Sequence, residues 1–106
     1  MPKYKIVWDP KAELQLVDIW LYIAHESVKY ANELSNDIKR STERLITNPF
    51  LGQEEGLLKN KKVSYRYLVY SHYKIIYRIF EDKIFITTIF DTRQRPSKLK
   101  KIVKKR

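Results

Sequence analysis

The chain contains no cysteine, which excludes disulfide bonds and metal sites built on thiolates. It has only two glycines and four prolines, too few for a low-complexity sequence. No apolar run approaches the roughly 20 residues that a membrane-spanning helix needs. The N-terminal stretch MPKYKIVWDP alternates in polarity and differs from a signal peptide. These absences favour a soluble, cytoplasmic protein.

Motifs of the common cofactor and metal sites are also absent. The two histidines, His25 and His72, have no partner at ligand spacing, so we expect no metal site. The sequence has no Gly-rich phosphate loop, nucleophile elbow or zinc signature, and no cofactor is expected. His72 lies between two strand-like segments, where it is either a solvated turn residue or a general acid or base.

Acidic residues are scarce in the second half of the chain. Residues 1–55 have seven Lys or Arg and nine Asp or Glu, whereas residues 56–106 have fifteen and three. The formal charge of +10 therefore comes from one half of the sequence. Such asymmetry indicates a polyanionic partner: nucleic acid, an acidic protein segment or a membrane surface.

The 106 residues are enough for one domain, which we expect to span residues 1–106. YKIVW (4–8) reads as a strand, and Asp9-Pro10 begins a helix that runs to about His25. Ser27 caps a second helix that ends at Asn48-Pro49. The two form an αα-hairpin. Residues 49–62 show no periodicity and are predicted to be a loop with at most one turn of helix.

The period then changes to two in VSYRYLVY (63–70), YKIIYRIF (73–80) and KIFITTIF (83–90). The short gaps between these segments favour a three-stranded antiparallel meander. The fold class is therefore α+β, with an N-terminal strand, an αα-hairpin and a meander whose helices cover one face. After Pro96 a short C-terminal helix is expected over 97–104.

Hairpin pairing assigns the two faces of this meander. If Tyr70 opposes Tyr73 and Phe80 opposes Lys83, one face is apolar and packs on the helices. Its predicted members are Leu68, Tyr73, Ile75, Tyr77, Ile79, Ile84, Ile86 and Phe90. The other face mixes cations with aromatic rings and is predicted to be open. Its predicted members are Tyr65, Tyr67, Val69, Lys74, Ile76, Arg78, Phe85, Thr87 and Ile89. Cations neutralise phosphates and aromatic rings stack on bases, so this face suggests a nucleic-acid surface.

Four ordered stretches carry a resemblance to a known family: YKIVWDPKAELQLVDIWLYI, LITNPFLG, RYLVYSHYKIIYRI and IFDTRQRP. Together they resemble the RelE/ParE superfamily of type II toxin–antitoxin toxins over nearly the whole chain. The resemblance implies a growth-arresting toxin that a cognate antitoxin neutralises, in a toxin–antitoxin hetero-oligomer. RelE-like members cleave mRNA on the ribosome, whereas ParE-like members poison DNA gyrase. We expect no cofactor, metal or membrane partner.

The residues favour the ParE-like branch. Lys74 matches a RelE-like arginine, but Tyr65 and Tyr67 stand where RelE-like nucleases carry lysine. The late tyrosine of some nucleases has no match, and DTRQRP is similar to the ParE branch. We therefore predict a gyrase inhibitor. Its predicted target-binding residues are Arg93, Arg95 and Lys74, with Arg66 and Arg78 in reserve.

Two alternatives remain open from the sequence. In a ribosome-dependent mRNA endonuclease, three cations would stabilise the phosphate and one of two residues would transfer protons. The cations are Lys74, Arg78 and Arg93, and the candidates for proton transfer are Tyr67 and His72. In the other alternative, the protein is an inactive member that only binds its antitoxin.

Overall fold

A computed structural model describes residues 3–58 and 63–93 of the chain. Its elements are β1 (Lys5–Trp8), α1 (Pro10–Ala24), α2 (Val28–Glu43), β2 (Gln53–Glu54), β3 (Tyr65–Tyr70), β4 (Tyr73–Phe80) and β5 (Lys83–Asp91). The strands form one sheet in the order β1-β5-β4-β3-β2, in which β1 runs parallel to β5 and the other pairs are antiparallel. The predicted α+β fold is confirmed. The predicted helix over 97–104 lies outside the described residues.

Local sequence signals account for the starts of both helices. The Asp9 carboxylate accepts a hydrogen bond from the main-chain nitrogen of Lys11 at 2.9 Å, ahead of Pro10 in the first turn. The Ser27 hydroxyl accepts one from Tyr30 N at 3.1 Å. The second helix becomes a 3₁₀ turn over Arg44–Ile46, so the α-helix ends earlier than predicted. Neither α-helix within residues 3–58 and 63–93 combines the length and the hydrophobicity that a membrane span requires.

The segment predicted to be a loop contains a short strand. β2 pairs with β3 through Gln53–Tyr67 and Glu54–Arg66, and a 3₁₀ turn follows over Gly56–Leu58. A two-residue strand is too short to show a period of two, so the sequence pattern missed it. The strand nevertheless adds an edge to the sheet and fixes the direction in which residues 55–58 cross it.

The register agrees with the prediction on one side of a β-bulge and differs beyond it. Phe80 pairs with Lys83, and Tyr77 with Ile86, as expected. Ile76 then pairs with Thr88, which leaves one extra residue on β5. Because side chains alternate along a strand, one extra residue exchanges the two faces. The predicted faces of Ile89 and Phe90 were therefore wrong: Ile89 joins the helix-facing core and Phe90 the opposite face.

The side chain of Gln15 on α1 supports this bulge. Its Oε1 atom accepts hydrogen bonds from Thr88 Oγ1 at 2.9 Å and from Ile89 N at 2.7 Å. On β5, Thr87 Oγ1 donates to Ile76 O at 3.2 Å. The polar groups that the bulge frees are thus paired, which removes the cost of burying them.

The main core lies between the helices and the sheet. Its buried members are Ala12, Leu16, Leu34, Ile38, Leu45, Leu68, Tyr73, Ile75, Tyr77, Ile84, Ile86 and Ile89. A second, small cluster of Leu58, Ile76 and Phe90 lies on the opposite face. Leu58 and Ile76 are fully buried there, because the 3₁₀ turn places Leu58 against Ile76 and Phe90. The expectation that this face would be entirely open was therefore wrong at its centre.

Candidate functional site

The face of the sheet that points away from the helices carries the predicted cations Lys74 and Arg78. We call the surface of Tyr65, Tyr67, Lys74, Arg78 and Phe85 the outer sheet face. Lys74 and Arg78 are four residues apart on β4, so their Cα atoms are separated by about 13 Å along the strand. Two cations this far apart would contact two separate groups of an extended anionic ligand and not a single phosphate.

Lys74 is already paired within the protein. Its Nζ atom donates to Glu55 Oε2 at 2.9 Å and lies 4.3 Å from the centre of the Tyr67 ring. The side chain of Lys74 is 23% exposed, whereas that of Glu55 is only 3% exposed. The buried carboxylate therefore neutralises the cation that the sequence assigned to a target or a phosphate.

Glu55 is the residue of this surface that sequence reasoning missed. Its Oε1 atom accepts from Leu57 N at 3.2 Å, and its own main-chain nitrogen donates to Tyr65 O at 2.9 Å. The neighbouring Glu54 has a side chain 79% exposed. The sequence shows two adjacent glutamates in a segment without periodicity, and that pattern does not reveal which of them is buried.

Arg78 is the cation of the outer sheet face that keeps its charge available. Its neighbours across the sheet are Tyr65 on β3 and Phe85 on β5. The guanidinium carbon lies 4.5 Å from the centre of the Phe85 ring, a cation–π contact. Within residues 3–58 and 63–93, Arg78 forms no salt bridge.

Arg66 lies on the other side of the sheet and holds the loop before β2. Its Nη1 atom donates to Gly52 O at 2.7 Å, and its guanidinium lies 5.1 Å from the centre of the Phe50 ring. A looser contact of 3.9 Å joins Nη2 to Glu54. These contacts give Arg66 a structural role in fixing β2.

The end of β5 presents Arg93 on a rigid support. Arg93 donates from Nε and Nη2 to the carboxylate of Asp91, with a shortest distance of 2.7 Å. This hydrogen bonding holds the pKa of Asp91 below its usual value, and the same pair raises the pKa of Arg93. Thr92 donates from N and Oγ1 to His72 O at 2.8 and 2.7 Å, which ties the strand end to the β3–β4 turn.

A shallow cleft of about 350 Å³ lies beside this strand end, between α1 and the sheet. Its lining combines the ion pair with polar and aromatic side chains. They are Gln15, Asp18, Ile19, Tyr22, Tyr73, Ile89, Phe90, Asp91 and Arg93. Tyr22 is 79% exposed on the α1 side. Aromatic rings beside an arginine are typical of surfaces that bind proteins.

The predicted proton-transfer residues are held in separate contacts. The Tyr67 hydroxyl donates to Gln53 Oε1 at 3.0 Å. His72 lies in the β3–β4 turn, with its ring 4.2 Å from that of Tyr73. Its Nε2 atom is buried and has no hydrogen-bond partner among the described residues. Tyr67 and His72 are therefore not brought together around Lys74.

Among the described residues, no cluster of His, Asp or Glu could hold a metal ion. Arg95, the remaining predicted contact residue, lies outside the described residues.

The sequence matches a known protein family over most of its length. The family model described as "ParE toxin of type II toxin-antitoxin system, parDE" matches residues 6–96. The chain belongs to the ParE toxin family. It is therefore a toxin of a type II toxin–antitoxin system, and the ParE-like resemblance seen in the sequence is confirmed. The match runs from β1 through the Arg93 end of β5, so it includes both the outer sheet face and the cleft beside Arg93.

Solved structures agree with the ParE family fold. A chain described as "Chromosomal ParDE TA system from P. aeruginosa" superposes with a TM-score of 0.69. The alignment covers 86% of this chain and 98% of that chain at 18% sequence identity. At this identity the likeness supports the fold alone. No curated protein matches the sequence.

Proposed function

We propose that this ParE-family toxin arrests growth by inhibiting DNA gyrase, and that it contacts gyrase with the Arg93 end of β5. An antitoxin partner follows from its membership in a toxin–antitoxin family. The observation that carries the proposal is the exposed, rigidly mounted guanidinium of Arg93 beside a cleft with aromatic lining.

The geometry of Arg93 suits a contact with another protein. Its side chain is 64% exposed, and it uses Nε and Nη2 for Asp91. The Nη1 atom has no hydrogen-bond partner among the described residues, which leaves one edge of the planar group for a carboxylate or phosphate. Thr92 anchors the strand end to His72, so little side-chain and backbone freedom is lost on binding.

The outer sheet face supports an endonuclease less well. The charge of Lys74 is neutralised by Glu55. The Tyr67 hydroxyl donates its hydrogen bond to Gln53 and not to a neighbouring base. One observation favours this second candidate function, namely Arg78 between Tyr65 and Phe85 without a salt bridge in the described structure. A ribosome-dependent nuclease would produce transcripts cut at codon boundaries, and a gyrase inhibitor would not.

The double variant Arg93→Ala/Arg95→Ala tests the proposal. We expect it to fold, to lose toxicity on induction and to lose inhibition of supercoiling by purified gyrase. The matched control is Lys5→Ala/Lys83→Ala, which removes the same charge from two exposed residues at the opposite end of β5. This control should stay toxic. A folded Arg93→Ala/Arg95→Ala protein with full toxicity would refute the role of this surface.

A further inference from the structure

Gyrase inhibition leaves a buried carboxylate on the outer sheet face without a function. We propose that Glu55 occupies the position at Lys74 that a phosphate of a single-stranded nucleic acid would otherwise take. It thereby keeps the outer sheet face from binding RNA or DNA strands. This inference goes beyond the proposed gyrase inhibition and does not depend on it, since binding to oligonucleotides is measured without gyrase.

The contacts of the carboxylate resemble those of a bound phosphate. One oxygen accepts from the ammonium of Lys74 at 2.9 Å and the other from a main-chain nitrogen, that of Leu57, at 3.2 Å. Ammonium and main-chain N–H groups are the donors that proteins present to nucleic-acid phosphates. The Tyr67 ring lies directly against the same ammonium. A cation beside an aromatic ring is the pair that single-stranded nucleic acids use, with the phosphate on the cation and a base on the ring.

The 3₁₀ turn after β2 holds Glu55 in this position. The main-chain nitrogen of Glu55 donates to Tyr65 O at 2.9 Å, and its carbonyl oxygen accepts from Leu58 N at 3.0 Å. Leu58 is in turn buried against Ile76 and Phe90. The carboxylate is therefore fixed by the core of the outer face, while the preceding Glu54 points into solvent.

With Glu55 neutral, the outer sheet face would offer two cationic positions, Lys74 and Arg78, on either side of the buried Ile76. Lys74 and Arg78 are about 13 Å apart on one strand, so the two cations would contact two separate phosphates of a bound single strand. Tyr67 lies beside Lys74, and Tyr65 and Phe85 lie beside Arg78. Each cation thus has its own aromatic neighbour.

Glu55→Gln is the direct test, because the amide keeps the shape and an acceptor for Leu57 N but removes the charge on Lys74's partner. We would measure fluorescence anisotropy with labelled single-stranded RNA and DNA of about 12 nucleotides at several salt concentrations. We expect Glu55→Gln to bind about tenfold more tightly than the unmodified protein. The slope of log K against log salt should steepen by about 0.7, the value for one added phosphate contact on a single strand.

Two further variants isolate the effect of Lys74. Glu54→Gln makes the same charge change one residue away on an exposed side chain, and we expect its affinity to change less than about twofold. Glu55→Gln/Lys74→Met restores the original net charge and should return the affinity to that of the unmodified protein. A gain in both glutamine variants, or a gain that survives Lys74→Met, would overturn the proposal.

A last variant keeps the test decisive if Glu55→Gln fails to fold, as circular dichroism would show. Lys74→Gln retains a donor for Glu55 and removes the ammonium. Because that ammonium is already neutralised, we expect this change to alter oligonucleotide affinity less than about twofold. A roughly tenfold loss would mean that Lys74 binds nucleic acid in the unmodified protein, and the proposed role of Glu55 would be wrong.

Discussion

The hydroxyl of Tyr77 holds two main-chain groups of the segment before β2, and Tyr77→Phe removes both bonds without changing the ring. The hydroxyl donates to Pro49 O at 2.8 Å and accepts from Gly52 N at 2.9 Å. Tyr77, Pro49 and Gly52 are all buried, so water does not replace the lost partner. The change therefore leaves one buried donor and one buried acceptor unpaired.

The expected loss of stability follows from these two groups. A buried main-chain group without a partner costs about 1–3 kcal/mol, so we expect Tyr77→Phe to lower the free energy of unfolding by about 3 kcal/mol. For a domain of this size that loss lowers Tm by roughly 12–24 °C. Domains of this kind have a total stability of about 5–15 kcal/mol, so most of the variant should remain folded at 25 °C.

Chemical denaturation and thermal melting measure this effect, with Tyr67→Phe as the matched control. The Tyr67 hydroxyl donates to an exposed Gln53, and its loss should cost less than about 0.5 kcal/mol. Burial also raises the pKa of Tyr77 above 10.0. The stability that the Tyr77 hydroxyl provides is present below about pH 10 and is lost as the pH rises through the raised pKa. In alkaline solution the Tyr77→Phe variant should therefore lose less stability than the unmodified protein does. Equal stability of the two variants at pH 7 would refute this account of the loop.

Three further predictions concern other parts of the molecule. Gly52→Ala should cost about 2–3 kcal/mol, because a Cβ atom would lie 2.6 Å from Tyr67 O, whereas Gly56→Ala meets nothing within 4 Å and should melt like the unmodified protein. The hydrogen bond from Arg93 lowers the pKa of Asp91, so the stability that this carboxylate provides is present above about pH 3.8 and is lost as the pH falls. In a denaturation series at decreasing pH, Asp91→Asn should therefore lose less stability than the unmodified protein. The antitoxin should carry acidic residues that meet the basic half of the chain, and titration calorimetry should show weaker binding from about 0.05 to 0.5 M salt; an unchanged affinity would exclude charge as the driving force.

Local patterns were sufficient to predict the helices and the three long strands. The caps at Asp9 and Ser27 and the change from helical period to a period of two are encoded within a few residues. The two hairpin turns were also predicted, although Ser71 and Glu81 adopt φ values of 55° and 56° that glycine would adopt more readily. The pairing of Tyr70 with Tyr73 and of Phe80 with Lys83 follows from these short turns.

Features that depend on contacts far apart in the sequence were missed. The bulge in β5 needs Gln15, more than 70 residues earlier, to pair with Thr88 and Ile89, and no local pattern marks it. One extra residue there was enough to exchange the faces of Ile89 and Phe90.

The candidate site was predictable only in part. Sequence reasoning selected Lys74 and Arg93 as functional cations, and the structure gives each an acidic partner: buried Glu55 for Lys74 and adjacent Asp91 for Arg93. The Asp91 partner is two residues away and visible in the sequence. The Glu55 partner depends on how β2 and the following turn cross the sheet, which the aperiodic segment 49–62 does not encode locally.

Incorporation of labelled precursors after induction without antitoxin tests most directly the proposal that this ParE-family toxin acts on gyrase. DNA and protein synthesis are followed in parallel, with Arg93→Ala/Arg95→Ala as the inactive control. We expect DNA synthesis to fall first, with an SOS response, and the control to show neither effect. An early fall of protein synthesis with DNA synthesis intact would contradict it and would move the active surface to the outer sheet face around Arg78.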